Sequence, residues 1–147
     1  LLSVAIMIGL QIFIKKTRLG KAMRAVSEDS QAAVLVGIST DRTISLTFAV
    51  GSGLAAVAAV MYCTAYPQVQ PYMGTMLGLK AFIAAVLGGI GSIPGAMLGG
   101  IVIGLVESLT KGYISTRLAD AVVFAILIIV LLVKPTGIMG KNVGEKV

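Results

Sequence analysis

The chain has 147 residues, of which 57% are apolar and 12% charged, with a net charge of +6 and a mean hydropathy of +1.00. A soluble domain carries about a quarter charged residues to clothe its surface, so the solvent for most of this chain is lipid. Histidine is absent and Cys63 is the single cysteine, which leaves zinc, disulfide and Cys-His chemistry without ligands; the surplus Lys and Arg flank apolar runs, where the positive-inside rule explains them better than nucleic acid does.

The first apolar run, Leu1 to Ile14, opens without Met, is too short to cross a bilayer unaided, and lacks the basic region and cleavage site of a signal peptide. Residues 1–14 are therefore expected to be the end of a truncated transmembrane helix. Residues 15–43 hold Lys15, Lys16, Arg18, Lys21, Arg24 and Arg42 against Glu28, Asp29 and Asp41, which predicts a cytoplasmic loop. Within it Leu19, Met23 and Val26 repeat at helical spacing, the pattern of a short amphipathic helix on the membrane surface. A second short helix follows: Asp29 or Ser30 can cap its start, and Gly37 can close it in the left-handed conformation. Ser39, Thr40 and Asp41 offer the N-cap of the next helix.

Residues 44–66 carry no charge and reach about 34 Å as a helix, enough for a hydrocarbon core of about 30 Å. This is an outward crossing. Pro67, Pro71 and Gly74 mark an external loop or re-entrant lip. The run Leu77 to Thr110 would measure about 51 Å and must break. Gly88, Gly89 and Gly91, then Pro94, supply the breaker, because Gly and Pro cost about 1 and 3 kcal/mol in a helix interior. Two helices, 77–90 and 95–110, are predicted to meet at a tight turn. A last membrane helix, 118–133, ends at Lys134-Pro135, and residues 134–147 form a cytoplasmic tail. With four crossings after the first loop, nine Lys and Arg lie inside against Lys80, Lys111 and Arg117 outside. A single crossing of 77–110 gives a weaker bias of eight against four. The expected fold is an all-α, polytopic transmembrane bundle with a short cytoplasmic coupling helix.

Gly91, Gly95 and Gly99 are four apart, as are Gly100 and Gly104, which lets another backbone approach closely. Helix packing is the first reading of these residues and lining of a transport path the second. Glu107 and Asp120 are costly if they face lipid. Near helix ends, Lys111 and Arg117 can neutralise them, and Glu107 to Lys111 has the spacing of a helical ion pair. Lys80 can snorkel to the interface or meet a carboxylate. No feature singles out a substrate pocket.

Gln31-Ala32-Ala33-x-x-x-Gly37 resembles the EAA-x-x-x-G loop by which importer permeases contact their ATPases, with Gln in place of Glu. Around it stand Arg18-Leu19-Gly20-Lys21-Ala22-Met23-Arg24-Ala25, Gly37-Ile38-Ser39-Thr40-Asp41-Arg42, Gly78-Leu79-Lys80-Ala81-Phe82, Gly88-Gly89-Ile90-Gly91-Ser92-Ile93-Pro94-Gly95-Ala96 and Lys134-Pro135-Thr136-Gly137-Ile138. In that order they resemble the permease subunit of branched-chain amino acid ABC importers over essentially the whole chain. The resemblance implies a bacterial inner-membrane protein that carries leucine, isoleucine or valine inward. Its implied partners are two ATPase subunits, a second homologous permease and an extracytoplasmic substrate-binding protein. It implies coupling through Glu28, Asp29, Ser30, Gln31, Ala32, Ala33 and Gly37, while the breaker and the glycine spacing give packing or hinge roles to Gly88, Gly89, Gly91, Pro94, Gly95 and Gly99. The chain has no Gly-x-x-x-x-Gly-Lys-[Ser/Thr] loop, so it is expected to be no enzyme and to bind no cofactor, ATP being used by its partners. A urea or short-amide importer permease is the alternative within the class. A membrane enzyme lacks a convergent set of reactive groups, and a passive channel leaves the loop helix without a purpose.

Overall fold

The computed structural model describes residues 1–140 and is all-α, with seven helices and, among the described residues, no strand. Lys141 and Lys146 of the expected tail lie outside the described residues. The chain forms two compact units, Leu1–Gln70 and Pro71–Val147.

In the first unit, α1 (Leu2–Lys16) turns at Thr17 into α2 (Arg18–Glu28). The Thr17 hydroxyl accepts from the Gly20 amide at 3.1 Å and donates to the Phe13 carbonyl, so one side chain serves both helix ends. Gly20 is buried against the backbone of Ile14, where a β-carbon would have no room. Asp29 then breaks the chain in extended geometry before α3 (Ser30–Leu35). The long helix α4 (Thr40–Ala65) has 26 residues and measures about 39 Å, more than a hydrocarbon core of about 30 Å. It starts four residues before the predicted Ile44. Asp41 suits the positive end of the helix dipole in that extra turn. Ser39 occupies the N-cap without a side-chain capping bond. The bond there runs the other way, from the Thr43 hydroxyl to the Ser39 carbonyl at 2.9 Å.

In the second unit, α5 (Met73–Gly88), α6 (Ile93–Tyr113) and α7 (Thr116–Val133) pack together. Helix α5 begins at Met73, inside the stretch expected to be loop. Gly74 and Thr75 thus fall in its first turn, and Pro71 lies before its N-cap, Tyr72. It ends at Gly88, not Ile90, because Gly89 adopts φ 102° and leaves the helical path. Helix α6 starts at Ile93, with Pro94 in the first turn where its missing amide costs nothing, and the Ser92 hydroxyl accepts from the Gly95 amide at 3.2 Å. It runs on through Lys111 and Gly112 to Tyr113, past the predicted end at Thr110. Helix α7 gains two residues at its start, capped by Ser115, whose hydroxyl accepts from the Arg117 amide at 3.3 Å.

Residues of α5 and α6 approach in antiparallel register. A β-carbon on Gly99 would strike the Ala84 carbonyl, and Gly88 and Gly95 lie backbone to backbone. With this close approach in place, Ile83 and Leu87 of α5, Ile103 of α6 and Val123 of α7 form the buried cluster, flanked by Ala84, Ile126, Leu127 and Val130. In lipid, where burial of apolar area no longer separates packed from unpacked helices, such contact is the main attraction.

Gly99→Leu is expected to destabilise the unit by about 1–3 kcal/mol or more, the usual cost of overpacking. Gly104→Leu, at a position with nothing within 4 Å, is expected to be close to neutral. Thermal denaturation of the two detergent-purified full-length variants, compared with the parent, checks the difference.

Candidate functional site

The segment between α1 and α4 carries three cations, Arg18, Lys21 and Arg24, with Lys15, Lys16 and Arg42 on the flanking helix ends, and it stands outside the long apolar helices. Its central element is α3, six residues long. A helix this short does not persist on propensity alone, and both of its ends are held. Asp29 Oδ1 accepts from the amides of Gln31 at 3.0 Å and Ala32 at 3.1 Å, so Asp29 and not Ser30 is the cap. At the other end the Ile38 amide reaches the Ala33 carbonyl and the Gly37 amide reaches the Val34 carbonyl, each at 3.0 Å. Gly37 sits at φ 90°. This is the Schellman pattern, which requires a left-handed residue at the helix exit.

Of the residues assigned to coupling, Ala33 is buried, and Glu28, Asp29, Ser30, Gln31, Ala32 and Gly37 are exposed. Glu28 ends α2, Asp29 joins the two helices, and Ser30 through Ala33 lie in α3. Ala33 thus faces the packing side, where α3 meets α2 and α4. Next to it in the chain, Val34, Leu35 and the C-cap residue Val36 are exposed at 57%, 88% and 80%. Sequence reasoning passes over these three. Their signal was available: three consecutive apolar residues inside a charged segment.

The residues assigned to packing and hinging gather at the turn between α5 and α6. Gly88 and Gly95 face each other, Gly99 lies one turn further along α6, Pro94 is in the first turn of α6, and Gly89 is buried where the chain reverses. Gly91 differs: it precedes α6, is exposed, and has nothing near its missing β-carbon. Of the second spaced pair, Gly100 makes ordinary contact with Ala84 and Gly104 meets nothing. The turn also receives the segment after α7. The Ile138 amide donates to the Leu87 carbonyl at 2.9 Å and the Met139 amide to the Gly88 carbonyl at 3.0 Å. No pattern in the sequence pairs these residues.

At the other end of the second unit four charges meet. Lys80 Nζ lies 2.7 Å from Glu107 Oε1 and 2.9 Å from Asp120 Oδ1, and Lys111 Nζ lies 2.6 Å from Glu107 Oε1. The predicted Glu107–Lys111 pair is present. Lys80, however, sits seven residues into α5 because that helix begins early, and it takes up Asp120, for which Arg117 was expected. Among the described residues no group of His, Cys, Asp or Glu has the arrangement of a metal site.

Comparison with known proteins gives a consistent result. The family described as "Branched-chain amino acid transport system / permease component" matches residues 1–131. The chain is 53% identical over 141 residues to the high-affinity branched-chain amino acid transport system permease protein LivH of Escherichia coli K12, covering 96% of this chain and 46% of the relative. It is 48% identical over 142 residues to the permease protein BraD of Pseudomonas aeruginosa, covering 97% and 46%. The autoinducer 2 import system permease protein LsrC of Salmonella paratyphi B is 31% identical over 80 residues, 54% of this chain and 23% of the relative. No solved structure matches. The chain thus spans about half the length of the curated LivH and BraD relatives it matches. Three of its helices, α4, α6 and α7, are long and apolar enough to cross a membrane. The chain belongs to the branched-chain amino acid transport permease family and is a multi-pass membrane protein.

Proposed function

We propose that this chain is part of the permease subunit of an ABC importer that carries leucine, isoleucine and valine across the bacterial cytoplasmic membrane. The observation that carries the coupling role is α3: a helix too short to stand alone, fixed at both ends, with Val34, Leu35 and Val36 turned outward from a charged segment. Exposed apolar side chains on a rigid support are what a protein partner needs for a docking point. The partner is an ATPase subunit. The chain has no phosphate-binding loop of its own, and force applied at α3 passes to α2 and α4, on which it packs. A sister permease, a second ATPase and an extracytoplasmic binding protein complete the assembly. The names of the LivH and BraD relatives support the substrate class.

In this reading residues 15–43 face the cytoplasm and α4 crosses outward. The α5–α6 turn and residues 134–140 share one end of the second unit, and that end is cytoplasmic. All four tyrosines, Tyr62, Tyr66, Tyr72 and Tyr113, then fall near the outer interface, a position that suits a ring with an apolar body and a polar tip. A reporter active only in the periplasm, fused after Val147, is expected to stay silent. An active fusion means an odd number of crossings and overturns this topology.

Gly37 has open space around it, so replacements there test backbone conformation alone. Gly37→Val is expected to strain the turn by about 1–2 kcal/mol and to lower ATP-driven uptake about tenfold with the protein still in the membrane. Gly37→Asn, which tolerates the left-handed region, is expected to transport nearly normally. Equal uptake by both variants counts against a docking role for α3.

The substrate is tested by uptake of labelled leucine and labelled urea in a strain lacking this subunit. Loss of leucine uptake, restored by the full-length gene, is the expected result. Loss of urea uptake alone assigns the protein to the urea and short-amide importers instead.

A further inference from the structure

Charges within membrane helices are expensive and persist where something compensates them. In the second unit two ammonium groups and two carboxylates form a continuous chain in the order Lys111, Glu107, Lys80, Asp120, each link under 3 Å. Three helices contribute: α5 gives Lys80, α6 gives Glu107 and Lys111, and α7 gives Asp120. The links are unequal. Lys111 and Glu107 are one turn apart on α6, so their bond ties that helix only to itself. The two bonds of Lys80 run between helices. The Glu107 side chain is the most enclosed of the four, with 16% exposure, and it has two cations. The Asp120 side chain is 41% exposed and has one. Arg117 lies on the same helix three residues earlier and makes no ion pair among the described residues.

We propose that Lys80 is a positioning residue for transport, acting as the counter-ion that compensates Asp120 on α7. The asymmetry of the network is the reason. If Lys80 is lost, Glu107 keeps Lys111 on its own helix, whereas Asp120 loses the one ion-pair partner it has among the described residues, on an apolar helix. The damage comes from the stranded partner more than from the lost attraction. Lys80 already lies within 3 Å of two carboxylates of its own chain, which favours this role over capture of a substrate carboxylate. The proposal concerns the transport reading above, but its test also has a readout that needs no substrate.

The experiment uses full-length permease with its partner subunits and four variants. Lys80→Arg keeps the charge and is expected to retain uptake of labelled leucine. Lys80→Met is expected to lower it at least about tenfold, in line with the cost of an unpaired charge in a membrane helix. Asp120→Asn is expected to be mild. The double variant Lys80→Met, Asp120→Asn is expected to recover to within about threefold of the parent, a non-additivity typical of direct partners. A double variant as impaired as Lys80→Met overturns the proposal and means that the charge of Lys80 serves a substrate or a partner protein. Where Lys80→Met fails to accumulate in the membrane, abundance and thermal stability replace uptake, and the same pattern of loss and recovery is required. If the parent itself takes up no leucine, the transport reading fails, while the abundance and stability series still decides the role of Lys80.

Discussion

A helix that breaks inside or beside a bilayer exposes carbonyls and amides that lipid cannot satisfy, and the way the chain meets that demand between α5 and α6 organises the second unit. Gly89 donates its amide back to the Ala85 and Val86 carbonyls. The Leu87 and Gly88 carbonyls receive the amides of Ile138 and Met139. On the far side of the turn, the Ser92 hydroxyl takes the Gly95 amide and the Ser92 carbonyl takes the Ala96 amide. The last carbonyls of α5 and the first amides of α6 are thereby paired by turn residues, a hydroxyl and a strand of backbone from after α7. The sharp reversal they permit lets α6 return against α5 closely enough for Gly99 to lie on Ala84. The buried cluster of Ile83, Leu87, Ile103 and Val123 depends on that approach.

The first unit solves a different problem with the same means. Its charged segment has no thick core to fold around, so local hydrogen bonds set its geometry: Thr17 at the elbow between α1 and α2, Asp29 between α2 and α3, and Gly37 at the exit of α3. Each acts within five residues of its partner. A segment built this way keeps its shape and can still carry an exposed apolar tip.

This difference explains what could be read in advance. Asp29 and Gly37 were legible because a cap and a left-handed exit are written into adjacent residues. So were the existence of the long helices and the break near Gly88, since run length and Gly-Pro content decide both. The start of α5 was not, because Pro71, Gly74 and Thr75 are residue types that mark a loop, and Gly74 and Thr75 nevertheless fall in the first turn of the helix. The partners of Lys80 were out of reach for another reason. Glu107 and Asp120 lie on other helices, and only the rotation and register of three packed helices bring them to one ammonium group. The contact of Ile138 and Met139 with α5 is hidden in the same way.

That contact also has a consequence for how the protein is made. The carbonyls at the end of α5 leave the ribosome about fifty residues before the amides that pair with them. Until α7 has been synthesised and inserted, the α5–α6 hairpin must keep those groups in the headgroup region or in water. Truncation after α7 is expected to leave the Leu87 and Gly88 carbonyls at the end of α5 without these partners.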